Sequence, residues 1–232
     1  QKIKHKTMKY LLITLVIIIS IPNAFSQTTP EDKFGAWYML DGTHRVSDKV
    51  SIKTGFQLRS FEVLDNMNLL FYYVGINYYL NKKTTLTIAY NYLDIDRSFL
   101  ISGENHLYEN RPYEQISYKQ ETFKLPIYHR LRLEHRFLNF KQQHTTLNRF
   151  RYRLGTKIKL NDKLFINVNN EIFANTKDQV FTENRFYAAL GINISKSNNI
   201  QIGYLNHEIN KSNLNRLQVG LFFKTDLRKK KS

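Results

Sequence analysis

The chain of 232 residues contains no cysteine. That excludes disulfides, thiolate–zinc sites, thiol catalysis and a lipid-modified cysteine. Proline is scarce, with four copies, and no low-complexity linker divides the sequence. Glycine numbers only nine and never clusters, so there is no phosphate-cradling loop. Acids are few beside bases, 19 against 35, giving a formal charge of +16. No apolar run reaches the roughly 20 residues that a membrane-spanning helix needs. What is abundant is aromatic: 15 tyrosines and 16 phenylalanines, both strand-favouring. The length suits one domain or one barrel.

The N-terminus reads as an export signal. Basic "KIKHKTMKY" precedes the short apolar run Leu11–Ile21, Pro22 breaks it, and Ala24 and Ser26 supply small residues for cleavage after Ser26. Met8 reads as the start, with residues 1–7 upstream of it. Removing residues 1–26 takes four lysines and no acid, leaving a charge of +12. Residues 27–33 form a short lead, 34–226 the folded body and 227–232 a basic tail.

From Phe34 onward the apolar period is two. Val50, Ile52, Phe56 and Leu58 alternate with Ser51, Lys53, Gln57 and Arg59; Tyr72, Val74, Ile76 and Tyr78 alternate with Tyr73, Gly75, Asn77 and Tyr79. This is the strand signature. The strands are long, often 10–13 residues, where a globular strand has about 5–6 and a tilted transmembrane strand about 9–11. Short polar connections (47–49, 81–84, 161–162, 195–198) alternate with longer ones (62–68, 138–146, 175–182), the rhythm of short periplasmic turns and longer extracellular loops. The pattern gives strands at 34–46, 50–61, 69–80, 85–97, 111–119, 124–137, 147–160, 163–174, 183–194, 199–209 and 214–226, with a loop over about 98–110. Because bacterial single-chain barrels have even strand numbers, the expected count is ten or twelve. The expected fold is all-β: an antiparallel up-and-down transmembrane barrel.

Several segments together carry a family resemblance: "FGAWYML", "HRLRLEHRF" (129–137), "NRFRYRLG" (148–155), "NEIFAN" (170–175), "NRFYAALG" (184–191) and "NIQIGYL" (199–205). The chain resembles the bacterial exported family known as domain of unknown function 2490. The resemblance implies an outer-membrane barrel and supplies no activity and no site residue. The end departs from many barrels, since "KTDLRKKKS" follows Phe222 and Phe223 where a terminal aromatic is usual.

Chemistry concentrates in two neighbouring strands. Arg130, Arg132 and Arg136 share a face with Glu134; Arg149, Arg151, Arg153, Lys157 and Lys159 share the corresponding face of the next strand. Leu131, Leu133, Phe150, Tyr152 and Leu154 take the other side. In a membrane barrel the apolar side faces lipid, because a mid-bilayer charge costs about 2–4 kcal/mol. The cations then line the lumen. Two roles are open to them: packing against Glu134, Glu171 and other acids, or presenting a field to small anionic solutes. Nucleic acid is not an expected partner, since stacking rings and backbone-gripping cations would share one face, whereas these alternate across the strand. No cofactor is expected. The histidines are scattered without metal-ligand spacing, and Asp94, Asp96, Glu104 and Glu109 read as solvated loop-side acids. A lipid hydrolase built on the outer wall is the alternative: His135 and Asn148 point outward on adjacent strands, but no serine lies in either strand. A soluble periplasmic ligand-binding barrel, with the apolar face turned inward, is the second alternative.

Overall fold

The computed structural model describes residues 33–97, 105–122, 125–176, 181–209 and 212–228. The export signal, most of the lead, Glu104 and the last four residues of the tail lie outside these. Among the described residues there are eleven strands and no helix: β1 (Gly35–Arg45), β2 (Val50–Ser60), β3 (Met67–Tyr79), β4 (Thr84–Asp96), β5 (His106–Thr122), β6 (Leu125–Phe140), β7 (Gln143–Lys159), β8 (Leu164–Asn175), β9 (Phe181–Asn193), β10 (Asn199–Ile209) and β11 (Ser212–Asp226). Each pairs antiparallel with its sequence neighbour, and β1 closes on β11 in parallel, Gly35 opposite Arg216 through to Arg45 opposite Asp226.

The even count expected from the sequence is therefore corrected to eleven. An odd up-and-down series puts its first and last strands in the same direction, so the seam must be parallel. It also puts the two chain ends at opposite rims. Gly35 starts beside the 61–66 connection, where Lys33 pairs with Glu62, while Asp226 ends beside the 46–49 turn, where Arg228 pairs with Asp48.

Three connections also differ from expectation. The 98–110 loop is shorter, because β5 starts at His106. The 138–146 loop is a hairpin turn at Lys141 and Gln142, both with positive φ (47° and 65°), the handedness that matches strand twist in a two-residue turn. β5 also runs on to Thr122, beyond the strand read at 111–119. At the opposite rim, the Asn81 carboxamide oxygen accepts the Lys83 and Thr84 amides (2.8 Å each), and Asn161 does the same for Lys163 and Leu164 (2.9 and 2.8 Å). Such side-chain turns are why Asn sits there. Pro112 lies inside β5; its partner Tyr90 is on β4, while the β6 ladder skips Arg111 and Pro112, as a residue without an N–H requires.

Closure is staggered. Following opposed residues once round the wall from Ile158 on β7 returns to β7 at His144, fourteen residues away. With strands about 4.8 Å apart and a rise of about 3.3 Å per residue, that stagger sets a tilt of about 41° and a backbone radius of about 11 Å. Such a cylinder is wide enough for long side chains to meet from opposite walls.

The two faces then separate cleanly. Tyr72, Val74, Ile76 and Ile88 stand out from the wall, Ile88 at 71% exposure. Between them on the same strands Phe71, Asn77, Ala89 and Asn91 are buried inside.

Candidate functional site: a guanidinium–carboxylate layer across the lumen

β6, β7 and β8 bring the basic ladder together. Register sets Arg132 opposite Arg151, Arg130 opposite Arg153 and Glu134 opposite Arg149; β8 adds Glu171 opposite Arg153. Alternation turns all of these inward, and it turns Phe150, Tyr152 and Leu154 outward, where each is more than a third exposed.

Four carboxylates hold the layer. Glu134, with no solvent exposure, accepts Nε and Nη2 of Arg149 (3.0 and 2.7 Å), Nη1 of Arg151 (2.5 Å) and Nη1 of Arg132 (3.4 Å). Glu171 accepts Nε and Nη2 of Arg151 (2.9 Å each) and Nη2 of Arg130 (2.6 Å). Glu109, also fully buried, takes two forks, from Arg111 (2.6 and 2.7 Å) and Arg136 (2.7 and 3.0 Å). Glu183 takes Arg149 Nη1 (2.5 Å), Arg185 Nη2 (2.8 Å) and His207 Nε2 (3.0 Å). Arg149 and Arg151 thus join Glu183, Glu134 and Glu171 into one chain. Ionised, bidentate bonds of this kind are the strong ones.

Aromatic rings fill the gaps. Phe173, fully buried, lies under Arg149, Arg151 and Arg185 (4.9, 4.4 and 4.4 Å to the ring centre). Arg132 lies over Tyr113 at 3.9 Å and Arg59 over Trp37 at 3.7 Å. A guanidinium on a ring face in a desolvated setting gains roughly 2 kcal/mol.

Not every ladder residue joins. Lys157 sits over the Phe165 ring at 3.4 Å, well toward the turn rim. Lys159 leaves the lumen: its side chain is 71% exposed and its ammonium donates to Asp162 at 2.6 Å, holding that carboxyl below the usual range. Glu109 moves the other way. Read from sequence as a loop acid, it stands in the wall of β5 at the centre of two arginine forks. Glu183, Arg111 and Arg185 were also missed as layer residues. Their signal was present in "ENRPYEQ" and "ENRFYAA", where Glu, Arg and Tyr recur at every second position, but which strands they would face is not a local property.

The loop-side rim of the outer wall carries polar pairs. Asp94 bonds His106 (2.6 Å), and His135 bonds Asn148 (2.8 Å) and Glu114 (3.2 Å). Ser117 faces the lumen and is bonded by Gln115 at 3.0 Å, so it does not complete a serine–histidine arrangement with His135. No group of metal-ligand residues occurs among the described residues.

Comparisons with other proteins agree with this architecture. The structure is similar to the NanC porin in a rhombohedral crystal form, with a TM-score of 0.51, 13% identity, and coverage of 82% of this chain and 98% of that one. At that identity the likeness concerns the fold. No curated protein sequence matches. The family profile described as "Protein of unknown function (DUF2490)" matches residues 34–218, most of the folded body, and the chain belongs to that family.

Proposed function

We propose that the protein is a non-enzymatic outer-membrane barrel whose lumen is stoppered at mid-height and which holds small anions more readily than it conducts them. The observation that carries this reading is the layer itself: Glu109, Glu134 and Phe173 have no solvent exposure, although they point into the lumen of a barrel. An open pore would leave such side chains wet.

The membrane part rests on the outer wall. Leu70, Tyr72, Val74, Ile76, Tyr78 and Leu80 run down one strand and its end; at the tilt above they span roughly 25 Å along the axis, the height of an outer-membrane apolar band. The polar pairs Asp94–His106 and His135–Asn148 cap that band at one rim. Burying the apolar wall in lipid and the arginines in a carboxylate lattice satisfies both faces.

Two measurements test the reading. Recovery of the protein in a detergent-free soluble fraction would remove the membrane part. In planar bilayers the expected result is no steady ohmic current; stable open-channel steps would overturn the stopper. Acyl release from phospholipid that falls in His135→Ala would replace the non-enzymatic role with the hydrolase alternative.

A further inference from the structure

The layer is over-supplied with cations. Seven arginines share its four glutamates. Uncompensated buried charge is strongly unfavourable, so the place where compensation runs out is informative. That place is the edge facing the turn rim, one rung below Arg132 and Arg151.

At the upper rung the repulsion between directly opposed arginines is cancelled, because Arg151 is gripped by both Glu134 and Glu171. At the lower rung Arg130 and Arg153 also stand directly opposite, and like charges so placed repel. Arg130 has one bond, from Nη2 to Glu171, and its Nε is buried without a partner. Arg153 stands opposite Glu171, whose oxygens are taken by Arg151 and Arg130; it makes no hydrogen bond or ion pair of its own with any described residue and is only part-buried. Asn169 on β8, an inward neighbour of this pair, also has an uncommitted carboxamide among the described residues. Gly155 lies opposite both Asn169 and Tyr128, and its missing side chain lets Asn169 pack close against β7: an added Cβ would stand 2.7 Å from the Asn169 Cβ. Solvent reaches this depth: Tyr128 shares the inward face of β6 with Glu134, yet it is 40% exposed where Glu134 is sealed. Asp41 on the far wall is already engaged by Lys53 and Tyr73.

We propose that Arg130, Arg153 and Asn169 form an oxyanion site on the turn-rim side of the stopper. It takes a small carboxylate or phosphate with at least two free oxygens. The proposal rests on the stoppered-barrel reading and gives it a ligand class and an entrance. Guanidinium forks match such groups in shape and charge, and the anion supplies the acceptor oxygens that Glu171, the one carboxylate at this rung and already shared by Arg151 and Arg130, does not give to Arg153.

The test is calorimetric titration of the detergent-purified full chain with inorganic phosphate and with malonate in low-chloride buffer. Wild type should bind one of them saturably at one per barrel. Arg153→Gln should weaken that binding at least ten-fold and Asn169→Ala several-fold, while Lys159→Gln, at the exposed rim, should not change it. Heat-modifiable gel mobility and Trp37 emission confirm that each variant is folded. If Arg153→Gln fails that check, Arg153→Lys, which keeps charge but not the fork, should show the loss. Wild type that binds neither anion, or arginine variants that bind as well as wild type, would overturn the site. Bilayer conductance is read separately: silent barrels without binding remove the site and leave the stopper, and conducting barrels with binding do the reverse.

Discussion

Replacing Glu134 by Gln keeps the shape of the layer's most connected acceptor and removes its charge. Glu134 is fully buried and holds three arginines, with four contacts between 2.5 and 3.4 Å. Removing one partner of a buried ion pair costs about 3–5 kcal/mol, mainly because the remaining charge is left uncompensated. Two features pull in opposite directions. Arg149 keeps Glu183 and Arg151 keeps Glu171, which lowers the loss; three cations are affected at once, which raises it. A loss of about 3–5 kcal/mol in unfolding free energy is therefore expected. Urea titration in phospholipid vesicles measures it, and Trp37, the single tryptophan, reports the layer because Arg185 and His207, both bonded to Glu183, lie against its ring. Glu62→Gln is the control. It breaks the exposed Lys33–Glu62 pair at the rim and should cost less than about 1 kcal/mol. A Glu134→Gln loss as small as the control's would mean that water screens the layer, and the stopper argument would fail with it.

Ile88→Lys places an ammonium on the most exposed part of the outer wall; in a lipid-facing band it should cost about 2–4 kcal/mol in vesicles, and a change within about 0.5 kcal/mol would point to a soluble barrel. The double substitution Lys141→Asn and Gln142→Gly suits the positive-φ turn and should raise stability by about 1 kcal/mol in the same titration; destabilisation would show that these side chains make contacts worth more than the turn strain. With short turns on the periplasmic side, an epitope inserted beside Leu64 should be labelled on intact cells and one beside Asn161 only after permeabilisation. The reverse labelling would invert the orientation.

Much of the wall was legible locally. "NRFRYRLG" alternates, and alternation alone puts Arg149, Arg151 and Arg153 on the side opposite Phe150, Tyr152 and Leu154. Long strands with Asn-capped turns follow from the same local chemistry. Less legible were the connections. Lys141–Gln142 lacks the glycine that usually marks a two-residue turn, so the 138–146 stretch reads as a loop. Glu109 lies within the 98–110 segment read as a loop and so looked solvated.

The sequence by itself determined the two faces, because the period of a strand is two and side chains cannot change sides without a register slip. It did not determine which residues meet across the lumen. That depends on strand number and stagger, and both are set only when the sheet closes: eleven strands and a fourteen-residue shift gather Glu109, Glu134, Glu171 and Glu183 among the arginines, and Glu171, opposite Arg153, is taken by Arg151 and Arg130. Closure joins residues far apart in the chain, such as Gly35 and Arg216, and no local pattern encodes their meeting. The tertiary structure alone therefore decided that the basic ladder is mostly paired and that Arg153, opposite an already engaged Glu171, is not.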